Sequence, residues 1–221
     1  MASDGNIMSL LACNEMCDTD KEIIVILMSW LDNWDDKDCI TKKTILLNTI
    51  MPSPTLFILN YADKHSIFES ESNYHSFFRT LTLSNLHNLI LKISDCLLTS
   101  GSVIGCCMKK KQIRNKRKYR YGHDLLASIF HEGTGFQSSI SNCTFFRYNK
   151  IIYLLTKFNV WDTHVFGKTL LPCNDKILNG VFKKGIVKKK MKATLQNAIE
   201  ITKIAKKMYG DDFYKLYEEL I

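Results

Sequence analysis

The chain has 221 residues, 46% of them hydrophobic and 24% charged, with a net charge of +8, which allows one sizeable core and excludes wholesale disorder. The charge is uneven: residues 1–100 hold 7 Lys+Arg against 13 Asp+Glu, and residues 101–221 hold 23 against 9. An acidic half, 1–100, joined to a basic half, 101–221, points to a polyanion-facing surface on the second, unless the halves complement each other within one continuous domain.

In chain order, Thr19 and Glu22 form a capping-box pattern that predicts a helix from about Asp20 to Trp34, with Ile23, Ile24, Leu27, Trp30, Leu31 and Trp34 at helical spacing. An acidic connector, Asp35–Asp38, precedes a second apolar pattern at Ile45, Leu46, Leu47 and Ile50, which Pro52 and Pro54 end. Thr55–Tyr61 is a continuous apolar run that suits a buried strand or a buried helical turn equally. Residues Ala62–Ser72 read as a surface loop. Ser84 then caps the clearest helix of this half, in which Leu86, Leu89, Ile90, Ile93 and Leu97 share one face until Thr99, Ser100 and Gly101 end it.

The basic half alternates helices with irregular pieces. Asp124 caps a short helix through His131, closed by Gly133, and Asn149 caps another whose core face is Ile151, Ile152, Leu154, Leu155 and Phe158. Between them, Cys143–Tyr148 suits a strand. Val160–Lys184, with Gly167, Pro172, Asn174, Asn179 and Gly180, is the most loop-like part of the chain. A long amphipathic helix, roughly Lys190–Tyr209, ends at Gly210, and Asp211 starts a last one with Phe213, Leu216, Tyr217 and Leu220 inward. The expected fold is mostly α, a helical globular fold with room for a short β-strand pair near residues 103–121 or 143–148. The stripe Leu195, Ala198, Ile199, Thr202 and Ala205, with the last apolar residues, suits either a homo-oligomer interface or burial within its own domain.

The N-terminal residues lack the basic and apolar regions of a signal peptide, so the 8 cysteines are read as reduced thiols and the expected location is cytoplasmic or nuclear, not secreted. No window holds the roughly 18 uninterrupted apolar residues of a membrane span. The bias to Lys, Ile and Asn, with only 3 prolines, suits a viral or parasite protein from an AT-rich genome.

Cys106, Cys107, His123, His131 and Cys143 are zinc-ligand types, but no Cys-x-x-Cys spacing joins them, so neither a metal nor a cofactor is expected. Cys13 and Cys17, four apart, read as small hydrophobes on one helical face. His123-Asp124 or His131-Glu132 could supply a base for Cys107 or Cys143, yet no hydrolase or protease signature is present and no catalytic residue is assigned. Gly167-Lys168-Thr169 resembles the end of a phosphate-binding loop, but Asp162 stands where that loop needs glycine and Pro172 interrupts the helix that should follow.

The densest charge lies in Gly105–Tyr121. Lys109, Lys110, Lys111, Arg114, Lys116, Arg117, Lys118 and Arg120 occur there without an acid among them, and three of the chain's five arginines are included. With Lys183, Lys184, Lys188, Lys189 and Lys190 farther on, these groups would replace counterions along a phosphate backbone, and Tyr119 and Tyr121 offer rings for unpaired bases. The leading expectation is a non-enzymatic nucleic-acid-binding protein of low sequence specificity, RNA favoured over DNA because no helix-turn-helix or zinc-finger spacing is recognisable, in a viral accessory or packaging role. The same cluster also fits a nuclear import signal. The alternative is a membrane- or host-protein adaptor, in which acylated Cys106 and Cys107 and the polybasic run touch an anionic membrane. A third reading is a solvated basic face over two buried cysteines.

Overall fold

The computed structural model describes residues 8–9, 11–12, 15–31, 48–63, 83–113, 119–131, 134 and 144–221, without the side chains of 62–63 and 83–84. Helices α1 (Asp18–Leu31), α2 (Pro54–Asp63) and α3 (Leu83–Ser100) belong to the acidic half. The basic half forms α4 (Val103–Ile113), α5 (Gly122–Phe130), α6 (Phe146–Lys157), α7 (Thr163–Phe166), α8 (Asp175–Lys183), α9 (Leu195–Tyr209), a 3-10 turn (Gly210–Asp212) and α10 (Lys215–Glu218). The protein is thus mostly helical.

α1 sits at the centre. Its run from Ile23 to Leu31 is apolar except for Ser29, so no face is suited to water, and every residue from Lys21 to Leu31 is buried. It packs on α2 within its own half and on α6 across the charge boundary. α3 packs on α2 and α4, and its stripe of Leu86, Leu89, Ile90, Ile93 and Leu97 is buried throughout. One hydrophobic cluster runs from Leu11 to Tyr217, so the two halves share a core. No single helix among the described residues is long and apolar enough to cross a membrane; α3 and α4 reach that length together but are bent by 72° at their junction.

Several boundaries differ from expectation. The run Thr55–Tyr61 is helical, as are residues 62–63. Pro54 begins α2 instead of blocking it, because the first helical position has no intrahelical N–H bond to lose. Neither candidate strand region holds a strand among the described residues: residues 103–113 are helix, and residues 146–148 open α6. Phe145, at φ 51°, turns the chain left-handed directly before α6, so the preceding segment cannot continue extended into it. Of the strand pair, the described residues hold only an isolated parallel bridge between Tyr121 and Lys168, in which the Gly122 N–H donates to the Lys168 carbonyl at 2.9 Å.

Asn149 lies a turn inside α6, where its side-chain amide donates to the Thr144 carbonyl at 3.1 Å. Within Val160–Lys184, Asn174 marks a helix start: its side chain accepts from the Ile177 N–H and caps α8. Gly210, at φ 62°, does end α9, a backbone conformation that costs glycine little. The α9 stripe is buried in this chain at Ala198, Thr202 and Ala205, and so are Phe213, Leu216 and Tyr217. Cys17 is exposed just ahead of α1 and lies on no helical face. Trp34, Asp35–Asp38, Ile45–Leu47, the loop beyond Asp63, the Ser84 cap, Gly133, Cys13 and Cys143 lie outside the described residues or side chains.

Candidate nucleic-acid interface

The first basic run begins in the last turns of α4, and its lysines reach helix ends. Lys109 Nζ donates to the Thr99 carbonyl in the last turn of α3. Lys110 Nζ donates to the Ser128 carbonyl in the last turn of α5 at 2.8 Å, and Lys111 Nζ to the Val165 and His164 carbonyls of α7 at 2.7 and 3.2 Å. The final carbonyls of a helix lack intrahelical donors and carry the negative end of its dipole, so an ammonium group is well placed there. These three charges therefore brace α4 against three neighbours. Arg114, Lys116, Arg117 and Lys118 lie outside the described residues.

The acids of α1 play the opposite part. Asp20 Oδ1 accepts from the Thr55 N–H at 2.9 Å and its hydroxyl at 2.6 Å, which caps the N-terminus of α2. Glu22 accepts from the Val103 and Ile104 N–H groups at 2.9 and 3.2 Å, which caps α4, and from Trp161 Nε1 at 2.5 Å. Burial pushes the Glu22 carboxyl above its usual range, against the pull of those three donors. Glu22 thus caps another helix and not its own, as the sequence spacing had suggested.

The two tyrosines are engaged. Tyr119 is half-buried against the core. Tyr121 stacks on His123 with centroids 5.3 Å apart, and the Arg120 guanidinium lies 5.5 Å from the Tyr121 centroid. His123 is fully buried between Tyr121 and Phe145, the latter 4.3 Å away and nearly parallel. That burial lowers its pKa, although Asp124 Oδ1, 3.4 Å from Nε2, acts in the other direction. Arg120 itself is exposed.

The sulfur atoms face inward. Cys96, Cys106 and Cys107 are buried where α3 meets α4. Burial raises the Cys96 and Cys107 thiols, with neighbouring thiols adding to it, and pushes Cys173 up to about 12. Raised thiols are weak nucleophiles, and buried ones offer no accessible sulfur for acylation. Neither His123 nor His131 bonds a cysteine among the described residues, and no three His, Cys, Asp or Glu there are grouped to hold a metal ion. Gly167-Lys168-Thr169 leads into irregular chain up to Asn174, without the helix a phosphate loop requires.

The second basic run differs from the first. Lys183, Lys184, Lys188, Lys189, Lys190 and Lys192 are all exposed, in the last turn of α8 and the bends that follow it, while Ile186, Val187 and Met191 between them pack on the core. Lys184 meets the Glu219 carboxylate at 3.3 Å and its carbonyl at 3.1 Å; the others pair with no carboxylate among the described residues. Phe182, directly before this run, is 41% exposed beside the buried stripe of Ile177, Leu178 and Val181, in a stretch whose Gly, Pro and Asn content reads as loop. A cleft of about 410 Å³ between α3, α4 and α5 has Lys92, Lys110 and His131 on its walls, but the Lys110 charge there already meets Ser128.

No family model matches the chain, and neither does any curated protein or solved structure.

Proposed function

We propose that this chain is a non-enzymatic nucleic-acid-binding protein, RNA favoured over DNA and read with little sequence specificity, whose phosphate-contacting surface is centred on residues 183–192. The observation that carries the reading is six exposed lysines in that segment, five of them without an acidic partner among the described residues. Flexible ammonium groups on a bent segment follow a phosphate backbone without requiring a particular base order. Exposed Arg120, stacked over Tyr121, supplies a planar cation of the kind that stacks on unpaired bases. An accessory or packaging role for a virus is compatible with such a surface.

The test is filter binding of single- and double-stranded RNA across a salt series, with the wild-type chain and the Lys188→Ala/Lys189→Ala/Lys190→Ala variant. About five phosphate contacts on a single strand predict roughly 100-fold weaker binding between about 50 and 200 mM salt. The triple variant should flatten that dependence by about two contacts' worth or more. Equal affinity and equal salt slope for the two proteins would overturn the proposal.

A further inference from the structure

Phe182 lies in the last turn of α8, and it is the one exposed Phe, Tyr or Trp among the described residues. Its ring stacks on no aromatic side chain there, unlike Tyr121, which lies against His123 and under Arg120. The backbone beneath it is held. The Lys184 N–H donates to the Gly180 and Phe182 carbonyls, the Gly185 N–H to the Phe182 carbonyl at 3.0 Å, and the Ile186 N–H to the Val181 carbonyl at 3.1 Å. Lys183 and Lys184 follow the ring immediately in sequence, and Lys188–Lys190 come a few residues after the closed turn.

An exposed ring on a helix, followed in sequence by Lys183 and Lys188–Lys190, which meet no acid among the described residues, is what recognition of single-stranded nucleic acid uses: the base lies on the ring while its phosphates meet the cations. A duplex keeps its base faces stacked on one another and can use only the cations. We propose that Phe182 is a base-stacking platform that makes this surface prefer single-stranded over double-stranded nucleic acid. The inference rests on the nucleic-acid reading above and adds the class of strand to it.

The experiment is fluorescence anisotropy with the full chain at one salt concentration, using a labelled single-stranded RNA, an RNA duplex of equal length, and heparin as a polyanion without bases. Phe182→Leu keeps an apolar side chain at the edge of α8 and removes the aromatic face; Phe182→Trp enlarges that face. Phe182→Leu should weaken single-strand binding on the order of ten-fold while duplex and heparin binding stay within about two-fold, and Phe182→Trp should hold or tighten the single strand. Equal effects of Phe182→Leu on all three polyanions, or none on the single strand while the lysine variant weakens all three, would refute the platform and leave the phosphate surface standing. If the wild-type chain binds none of the three, the nucleic-acid reading itself fails and the platform with it.

Discussion

Glu22 in α1 accepts the indole N–H of Trp161 at 2.5 Å across 139 positions of sequence, while its carboxylate also caps α4. One buried side chain thus joins the acidic half to two places in the basic half. Removing it leaves three N–H donors without that acceptor, two of them buried, and each buried unsatisfied donor costs about 1–3 kcal/mol. Glu22→Ala should therefore destabilise the fold by about 2 kcal/mol or more in urea unfolding followed by tryptophan fluorescence. Glu22→Gln keeps an acceptor oxygen but turns an amide N–H₂ toward a donor, so its loss should be intermediate. An alanine variant as stable as wild type would show that this carboxylate does not tie the halves together.

The two lysine runs should separate by readout. Lys111→Met keeps the apolar stem and removes the ammonium that meets two α7 carbonyls. Because the site is partly solvated, the expected loss is only about 0.5–1 kcal/mol of stability, with RNA affinity changed less than about two-fold. Lys189→Met, at an exposed position with no acidic partner among the described residues, should do the reverse and reduce the salt slope by about one phosphate contact. Equal effects of the two substitutions on affinity would erase the distinction drawn between the runs.

That distinction marks the limit of what the sequence disclosed. The α3 stripe of Leu86, Leu89, Ile90, Ile93 and Leu97 was readable because burying one face of a helix requires a local period and nothing else. The roles of charged residues were not. Thr19 and Glu22 have capping-box spacing, but the N–H groups that Glu22 serves, Val103 and Ile104, lie 81 and 82 residues away, and no local pattern encodes such a partner. Likewise, eight cations in succession look like a face turned to water, yet Lys111 reaches carbonyls 53 and 54 positions on. Tyr119 and Tyr121 seemed the accessible rings because they sit among charges. Phe182 went unremarked because it falls in Val160–Lys184, whose Gly, Pro and Asn residues read as loop, whereas Asp175–Lys183 is a helix that buries Ile177, Leu178 and Val181 and leaves Phe182 outward.

Gly122 tests the packing around the bridge to Lys168. A Cβ there would come within 2.8 Å of the Phe166 Cβ and 2.9 Å of the Ile152 Cδ1, two buried side chains on different helices. Phe166 meets it through its own Cβ, which cannot rotate away. Gly122→Ala should therefore cost about 1–3 kcal/mol despite alanine's better helix propensity. Gly180→Ala is the control, since its Cβ would meet only the flexible end of Leu220 at 2.9 Å. It should be within about 1 kcal/mol of neutral, because alanine gains about that much propensity inside a helix. Thermal melts that rank the two variants in the opposite order would contradict the close approach of α5 to α7.

His123 provides a pH signature. Burial lowers its pKa in the folded chain, whereas the unfolded chain has the ordinary value of about 6.5, so between the two values the unfolded state binds more protons. Stability contributed by neutral His123 is therefore fully present above about 6.5 and is lost as pH falls toward the depressed folded value. The groups facing the ring are Asp124, whose carboxylate favours the protonated form, and Tyr121, Phe145 and Asn149. Glu22 contributes a slope of opposite sign at acid pH, because its folded pKa is raised and its carboxylate form is disfavoured by burial. The comparison must therefore be a difference between variants. His123→Phe preserves the stack between Tyr121 and Phe145 and cannot be protonated. Its stability, measured by urea unfolding at several pH values, should fall less than that of wild type as pH drops below about 6.5. Parallel profiles for the two proteins would mean that this imidazole is not held neutral by the fold.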